Sequence, residues 1–371
     1  MIDIEKHLSL FGGCYRSRRV MVTGHTGFKG SWLTLWLSRL GAQVIGYAMP
    51  PETEPNHWDL LRLNDCESIF ADIRDVDRLK QVFTEHRPEI VFHLAAQPLV
   101  RRSYREPQET FSSNVIGTLN VMDAAKASES VRAIVCVTSD KVYENCESEA
   151  GYIESDRLGG SDPYSASKAC AEILVNCYRK SYFNASQTEP QPFLATVRAG
   201  NVIGGGDWSE DRLIPDAVRA ASSGTTLGIR NPASIRPWQH VLEPLAGYLA
   251  VGQRLLLADP TAATAWNFGP DEEGSVPVSE VVPHFQKTWP ALVAEFAPEA
   301  GAPAETNVLR LDSSKAIDRL GWRPLWDWQT AVARTASWYQ RFYESEEIAT
   351  LSDLLDYEQQ AIKAKVSWAA S

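Results

Sequence analysis

The 371-residue chain contains no run of 18 apolar residues, and its start, Met1-Ile2-Asp3-Ile4-Glu5-Lys6-His7, carries charges where a secretory signal needs an apolar stretch. Neither a membrane span nor export is expected, and the protein reads as soluble and cytoplasmic. Basic residues are in the minority. With 36 Lys plus Arg against 47 Asp plus Glu, the net charge of −11 disfavours a nucleic-acid partner. An anionic small molecule stays allowed, since it needs only a few local cations. The six cysteines include no CxxC spacing: Cys66 is solitary, and Cys136/Cys146 and Cys170/Cys177 are too far apart for common zinc or thioredoxin-like sites. They read as reduced and mostly buried, with no metal expected. Asn184-Ala185-Ser186 fits a glycosylation sequon but reads as ordinary loop without a secretory signal.

What is present is ordinary globular composition, 44% hydrophobic and 22% charged, on a length that suits two domains. The apolar run Arg19-Val20-Met21-Val22 leads into Thr23-Gly24-His25-Thr26-Gly27-Phe28-Lys29-Gly30 and then the helix-like stretch Ser31 to Leu37. A strand, a glycine turn and a helix start suit a dinucleotide pyrophosphate: glycines admit the backbone close to it, and free helix N–H groups receive its charge. Further strands are expected at 42–48, at 70–73 (ending in Phe70-Ala71-Asp72-Ile73), and at 90–94, 133–138 and 193–198. Helical patterns fall between them, notably 115–127 and 164–179, with a loop at 184–192. Strands alternating with helices imply an α/β fold built on a doubly wound parallel sheet. Beyond residue 200 the alternation becomes irregular and Trp208, Trp238, Trp266, Trp322, Trp326, Trp328 and Trp338 crowd in. These read as the core of a smaller C-terminal α/β domain closing a cleft over the strand ends.

Tyr164-Ser165-Ala166-Ser167-Lys168 is the one Tyr-x-x-x-Lys among twelve tyrosines. A spacing of four puts both side chains on one helix face, where the ammonium can lower the phenol's pKa towards neutrality. The fifth strand ends in Thr138-Ser139-Asp140-Lys141, whose hydroxyl could hold the substrate oxygen that Tyr164 deprotonates.

With these motifs in order, the chain resembles the extended short-chain dehydrogenase/reductase family of nucleotide-sugar epimerases and dehydratases. The likeness also rests on Asp72-Ile73, on His93-Leu94-Ala95-Ala96 and on Asn114-Val115-x-Gly117-Thr118. It implies a Rossmann domain for NAD over residues 1–200, with a returning segment at about 236–270, and a nucleotide-sugar domain over 201–235 and 271–371. By resemblance, Gly24, Gly27, Phe28 and Gly30 hold the pyrophosphate, and Asp72 and the Ile73 backbone hold adenine. Leu94, Ala95, Ala96, Asn114 and Thr138 line the cofactor, and Lys168 holds the nicotinamide ribose. Ser139 and Tyr164 engage the sugar C4 hydroxyl. Gln97, Asn201, Arg212 and Arg236 fall where relatives hold the rest of the substrate, and arginine forks suit phosphate. The stretches at 24–33, 138–145, 198–208 and 236–241 most resemble 4,6-dehydratases acting on a cytidine-diphosphate sugar, of the kind that supplies deoxysugars for lipopolysaccharide O-antigen. A 4-epimerase and a catalytically silent NAD-binding sensor are the alternatives. The likeness also implies a homodimer or homotetramer, paired through the apolar faces of helices 115–127 and 169–178.

Two positions depart from the family pattern. Many sugar 4,6-dehydratases carry Asp-Glu after the catalytic hydroxyl, whereas this chain has Asp140-Lys141. Asp140 is then the candidate acid at C6, and Lys141 is either the C5 base or an electrostatic stabiliser of the enolate. The acid expected about 20 residues past the glycine turn for the ribose is absent; Glu52 and Glu54 are substitutes on a loop, and NAD is preferred because no arginine stands there for a 2′-phosphate. His25 and Lys29 either contact the pyrophosphate or are solvated loop side chains.

Overall fold

The computed structural model describes residues 4–146, 150–183, 191–296 and 309–370. Six parallel strands, β1 (Arg19–Thr23), β2 (Gln43–Ala48), β3 (Cys66–Phe70), β4 (Ile90–His93), β5 (Ala133–Val137) and β6 (Phe193–Ala199), join a seventh at Ala265–Phe268. The order across the sheet is the seventh strand, β6, β5, β4, β1, β2, β3, with every pairing parallel. The order reverses between β1 and β4, and a doubly wound sheet opens its ligand crevice beyond the strand ends at that point. Both faces of the sheet are covered, so β4 and β5 are buried throughout and read as unbroken apolar runs. One face carries the helix Phe28–Arg39, which buries Trp32, Leu33, Leu35, Trp36 and Leu37. The other carries Val76–His86, capped by Asp75 and turning Leu79, Val82 and Phe83 inward.

The third strand is shorter than its sequence pattern. It stops at Phe70, and Asp72 turns its carboxylate back to the Arg74 N–H at 2.8 Å, which ends the extended run. After β6 the chain builds three small ladders, pairing Val202–Ile203 with Gln239–His240, Thr226–Ile229 with Val293–Phe296, and Ile235–Pro237 with Ser275–Pro277. Over them lies a second core with Trp208, Trp238, Phe285, Trp289, Trp328, Trp338 and Tyr339. All seven tryptophans noted in the sequence are buried.

The partition of the C-terminal half differs from the simple two-domain division. Ala316, Leu320, Trp322, Trp326, Leu354, Tyr357, Ala361 and Trp368 enter the core of the main sheet, beside the helix Leu242–Leu256, while Trp328 to Tyr339 enter the second core. Buried Glu243 fixes this return. It accepts the N–H groups of Leu325 (3.1 Å) and Trp326 (2.8 Å) and the Tyr357 hydroxyl (2.8 Å), and burial pushes its carboxyl up to about 7. The cysteines are free, but Cys146, Cys170 and Cys177 are exposed and only Cys136 is fully buried. Positions 170 and 177 share the outward face of the helix Pro163–Ser181. The sequon and most of the 184–192 loop lie outside the described residues. Among the described residues no helix is long and apolar enough to cross a membrane, and no cluster of His, Cys, Asp and Glu is arranged to hold a metal.

Candidate active site

A cleft of about 1870 Å³ runs along the carboxyl ends of the strands and is lined from both cores. On its β1 side the glycine turn has a steric basis. Gly24 adopts φ +76, and a Cβ there would stand 2.7 Å from the Ala95 nitrogen; a Cβ on Gly30 would collide with the Gly24 carbonyl. Gly27 caps the following helix with no side chain, which leaves the helix N–H groups facing the cleft for an anion. This cradle fits a dinucleotide: Gly24, Gly27, Phe28, Lys29, Gly30, Asp72, Ile73, Leu94, Ala95, Ala96 and Thr138 all line it.

Three sequence-selected residues are placed differently. The His25 ring fills the space beside Gly46, bonds Ser68 Oγ at 2.7 Å and packs edge-on against Trp58; it is fully buried, and burial pulls it down to about 4. A neutral, inward ring offers no charge to a phosphate, and His25 does not line the cleft. Nor does Asn114, which braces the loop after β4: its amide bonds the Gln97 carbonyl (3.1 Å) and Ser167 Oγ (2.8 Å), and its oxygen accepts the Gln97 N–H (2.8 Å). Gln97 reaches the cleft, but its side chain is engaged with Leu99 and Thr110. Its substrate role in the sequence reading finds no free polar group here.

The catalytic candidates converge beyond β5. Pro163 opens the helix Pro163–Ser181 and Asp162 caps it through the Ser165 N–H at 2.9 Å, while Ser103 Oγ accepts the Tyr164 N–H at 3.1 Å. Tyr164 thus enters the cleft from a fixed first turn, and Lys168 follows one turn later with Nζ 3.3 Å from the Val137 carbonyl. Ser139 caps the short turn Asp140–Val142, accepts the Lys141 N–H at 3.2 Å and donates to Asp140 Oδ1 at 2.9 Å. Asp140 is buried, its Oδ2 has no partner among the described residues, and a Cβ on Gly200 would collide with that oxygen.

The electrostatics differ from one expectation. Burial pushes the Tyr164 phenol up to about 12; Ser139 and the Arg212 charge pull it down, and Asp140 pushes it up. Lys168, from which the lowering was expected, is not among the main causes of this shift, and burial depresses its own ammonium. Lys29 reaches in beside these groups: burial, Arg212 and Lys168 pull its ammonium down to about 8 against Asp140 and Asp207, and Nζ sits 5.9 Å over the Tyr248 ring. Its position is therefore the floor of the site rather than a solvated loop. Opposite, Arg212 pairs with Asp207 at 3.1 Å, and Asn201 (φ +44), Arg212, Arg236 and Lys141 line the same cleft.

A model of the family described as GDP-mannose 4,6 dehydratase matches residues 21–335. The chain belongs to that family. It is 46% identical to the CDP-glucose 4,6-dehydratase of Salmonella typhimurium over 347 residues, covering 92% of this chain and 97% of that protein. It is 27% identical to the dTDP-glucose 4,6-dehydratase of Xanthomonas campestris pv. campestris, covering 86% and 92%. Among solved structures it is similar to the epimerase Mth375 of Methanothermobacter thermautotrophicus, with a TM-score of 0.79 and 25% identity over 92% and 96% of the two chains. The dTDP-glucose 4,6-dehydratase of Bacillus anthracis shares the fold, with a TM-score of 0.73 at 20% identity over 88% and 98%.

In this 4,6-dehydratase family member, two supporting groups escaped the sequence reading. Behind Thr138, buried Glu172 holds Arg198 through two bonds of 2.8 Å and accepts both the Thr138 hydroxyl (2.6 Å) and the Thr196 hydroxyl (2.9 Å). This locks the end of β5, from which Ser139 and Asp140 project. Helix spacing i, i+4 from Lys168 was the available signal for Glu172. At the outer cleft Arg102 grips Glu52 (3.0 Å) and Glu109 (3.0 Å), bringing a cation beside the loop after β2 that no local sequence feature announced.

Proposed function

We propose that this chain dehydrates CDP-glucose to CDP-4-keto-6-deoxyglucose, with NAD as a recycled cofactor in the cleft. The observation that carries the reaction class is Asp140. Ser139, Tyr164 and Lys168 alone equip a site to oxidise C4, which is all that a 4-epimerase needs. A buried carboxylate with an unpartnered oxygen, bonded to Ser139, adds the acid that expulsion of the C6 hydroxyl requires.

In this reading Gly24, Gly27 and Gly30 approach the pyrophosphate, Asp72 and Ile73 meet the adenosine, and Lys168 orients the nicotinamide ribose. NAD held there would supply the acceptor for the hydride from C4 and its source for C6. Tyr164 receives the C4 hydroxyl proton while Ser139 holds that oxygen, and Asp140 protonates the C6 oxygen as water leaves. Lys141 serves C5, either as base or by stabilising the enolate, and Asn201, Arg212 and Arg236 hold the diphosphate side of the substrate. Cytosine as the base rests on the Salmonella relative. The same reading gives a cytoplasmic enzyme of deoxysugar synthesis that pairs with a second copy through the packed helices 107–127 and 163–181, which leave Phe111, Ile116 and Ile173 exposed.

The test is turnover with CDP-, UDP-, dTDP- and GDP-glucose in parallel, scored by the alkaline absorbance of 4-keto sugars and by recovery of galactose epimers. CDP-glucose is expected to give 4-keto-6-deoxy product at a kcat/KM at least about tenfold above the others, equivalent to about 1.4 kcal/mol of discrimination. Galactose epimers would move the chain to the epimerases, and NAD binding with neither product would make it a silent sensor.

A further inference from the structure

The loop after β2 borders the end of the cleft where the adenosine ribose of a dinucleotide belongs in a doubly wound sheet. Thr26 in the glycine turn donates its hydroxyl to the Met49 carbonyl at 2.8 Å, so this loop is tied to the pyrophosphate cradle. Of the two acids that could stand in for the absent ribose ligand, Glu52 lines the cleft and Glu54 does not. The stretch from Tyr47 to Glu54 contains no arginine, yet the fold delivers one. Arg102, on the helix Val100–Arg105 that follows β4, lines the same cleft, and its Nη1 donates to both Glu52 oxygens, at 3.2 and 3.0 Å.

The Arg102 fork is full. Nε donates to Glu106 at 3.1 Å and to Glu109 at 3.2 Å, Nη2 donates to Glu109 at 3.0 Å, and Glu52 takes Nη1. Glu52 is the most exposed of the three acids, at 67% against 51% and 30%, and it alone comes from the loop after β2. It is the partner that a ligand in the cleft meets and can replace. Arg74, also in the cleft lining, is likewise turned onto Asp72, with Nε at 2.8 Å, so neither guanidinium faces the cofactor end uncompensated. A planar guanidinium fork matches phosphate oxygens, whereas a carboxylate accepts from a hydroxyl. A 2′-phosphate brings about two negative charges near neutral pH and would meet the Glu52 carboxylate before it reached Arg102. A 2′-hydroxyl donates instead, and Glu52 keeps lone pairs for it beyond those that Arg102 uses.

We propose that Glu52 selects NAD over NADP: it accepts the ribose 2′-hydroxyl and keeps Arg102 occupied, and Arg102 becomes a 2′-phosphate site once that carboxylate is gone. This rests on the cofactor lying in the cleft as read above, and it adds the residue that tells the two nicotinamide dinucleotides apart. The selection has two parts of opposite sign, an attraction of Glu52 for the hydroxyl and its repulsion of the phosphate. Both vanish with the one carboxylate. Glu106 and Glu109 still hold Nε and Nη2 when Glu52 is replaced, so the fork keeps its place and only Nη1 is released to the cleft. The arginine is therefore latent: it is already cationic and already positioned, and nothing has to be rebuilt for it to receive a phosphate.

The test is calorimetric titration of the full chain, freed of nucleotide, with NAD and with NADP, repeated with AMP and adenosine 2′,5′-bisphosphate to isolate this end of the cofactor. The wild type is expected to bind NAD at least about 30-fold tighter than NADP. Glu52→Ser should weaken NAD by about tenfold and tighten NADP by about tenfold, with the same reversal in the adenosine pair. Adding Arg102→Met should remove the NADP gain and leave NAD within about threefold of the single variant. The NADP gain should also shrink as salt rises from about 50 to 300 mM, because the pair is exposed and screened. A merely structural lesion would weaken both dinucleotides alike. An NAD-to-NADP ratio in Glu52→Ser within about threefold of the wild type overturns the proposal, as does an NADP gain that survives Arg102→Met. Wild type that binds NAD and makes 4-keto-6-deoxy product, with the ratio unmoved in Glu52→Ser, leaves the dehydratase reading intact and removes Glu52 as the selector. Failure of the wild type to bind NAD takes both away.

Discussion

In the proposed reaction Tyr164 depends on its position. Its phenol is buried and raised, and it lines the cleft from the opening of a capped helix. Tyr164→Phe keeps the ring and removes the oxygen. Turnover of CDP-glucose should fall by about 10³-fold while NAD affinity, measured by titration calorimetry, stays within about threefold, because the phenol acts on the sugar. Retention of more than a tenth of the turnover would take Tyr164 out of the reaction. Lys141 poses a sharper question at the same scale. As the C5 base, its replacement in Lys141→Met abolishes exchange of the C5 hydrogen with solvent deuterium. As a stabilising charge, it leaves that exchange slower but present.

At the scale of elements, the glycine turn and six of the seven strands of the main sheet could be read directly, because a sheet covered on both faces needs uninterrupted apolar runs and a dinucleotide needs backbone without Cβ; the edge strand Ala265–Phe268 could not. The Tyr164 helix was legible from residue 164, but its cap was not: the structure opens it at Pro163 and caps it with Asp162. Its consequence is measurable. Asp162→Ala should cost about 1 kcal/mol, a fall in Tm of about 2–4 °C for a chain of this size, and Asp327→Ala should cost the same at the helix Trp328–Ser345, where Asp327 caps the Thr330 N–H. Only the first should also lower kcat, since only that cap aims Tyr164; equal loss of kcat in both would mean general destabilisation. Other features were illegible for a physical reason. His25, Asn114 and Gln97 sit in recognisable motifs, but the direction of a side chain depends on what packs beside it. The space beside Gly46 that draws His25 inward, like the bond between Asn114 and Ser167, joins segments far apart in sequence. The return of the C-terminal segment was hidden likewise: tryptophans enter both cores, and composition does not tell which core a given one enters.

Across the whole molecule, buried histidines set how the fold responds to acid. Burial pulls His57, His93 and His240 down to about 3 and His25 to about 4. His57 shows what is at stake, since its two ring nitrogens bond Ser31 in the helix Phe28–Arg39 (2.7 Å) and Thr350 in the helix Thr350–Ala364 (2.8 Å). These groups titrate near 6.5 once unfolded, so below that pH the unfolded chain binds protons that the folded chain refuses. Their contribution is complete above about pH 6.5 and is lost as pH falls towards 3–4. Glu243, raised to about 7, and Asp353, raised to about 6, act in the opposite sense: their neutral forms suit the fold, so their penalty shrinks as pH falls through the same range. Between pH 6.5 and 5.5 the four histidines together lose about 4 kcal/mol and the two acids return about 2, which leaves a net loss of about 2 kcal/mol. Urea unfolding at the two pH values measures this directly. Stability that holds level or rises on acidification would mean that the histidines reach solvent or ionise within the fold, and the interior would then be more open than its packing shows.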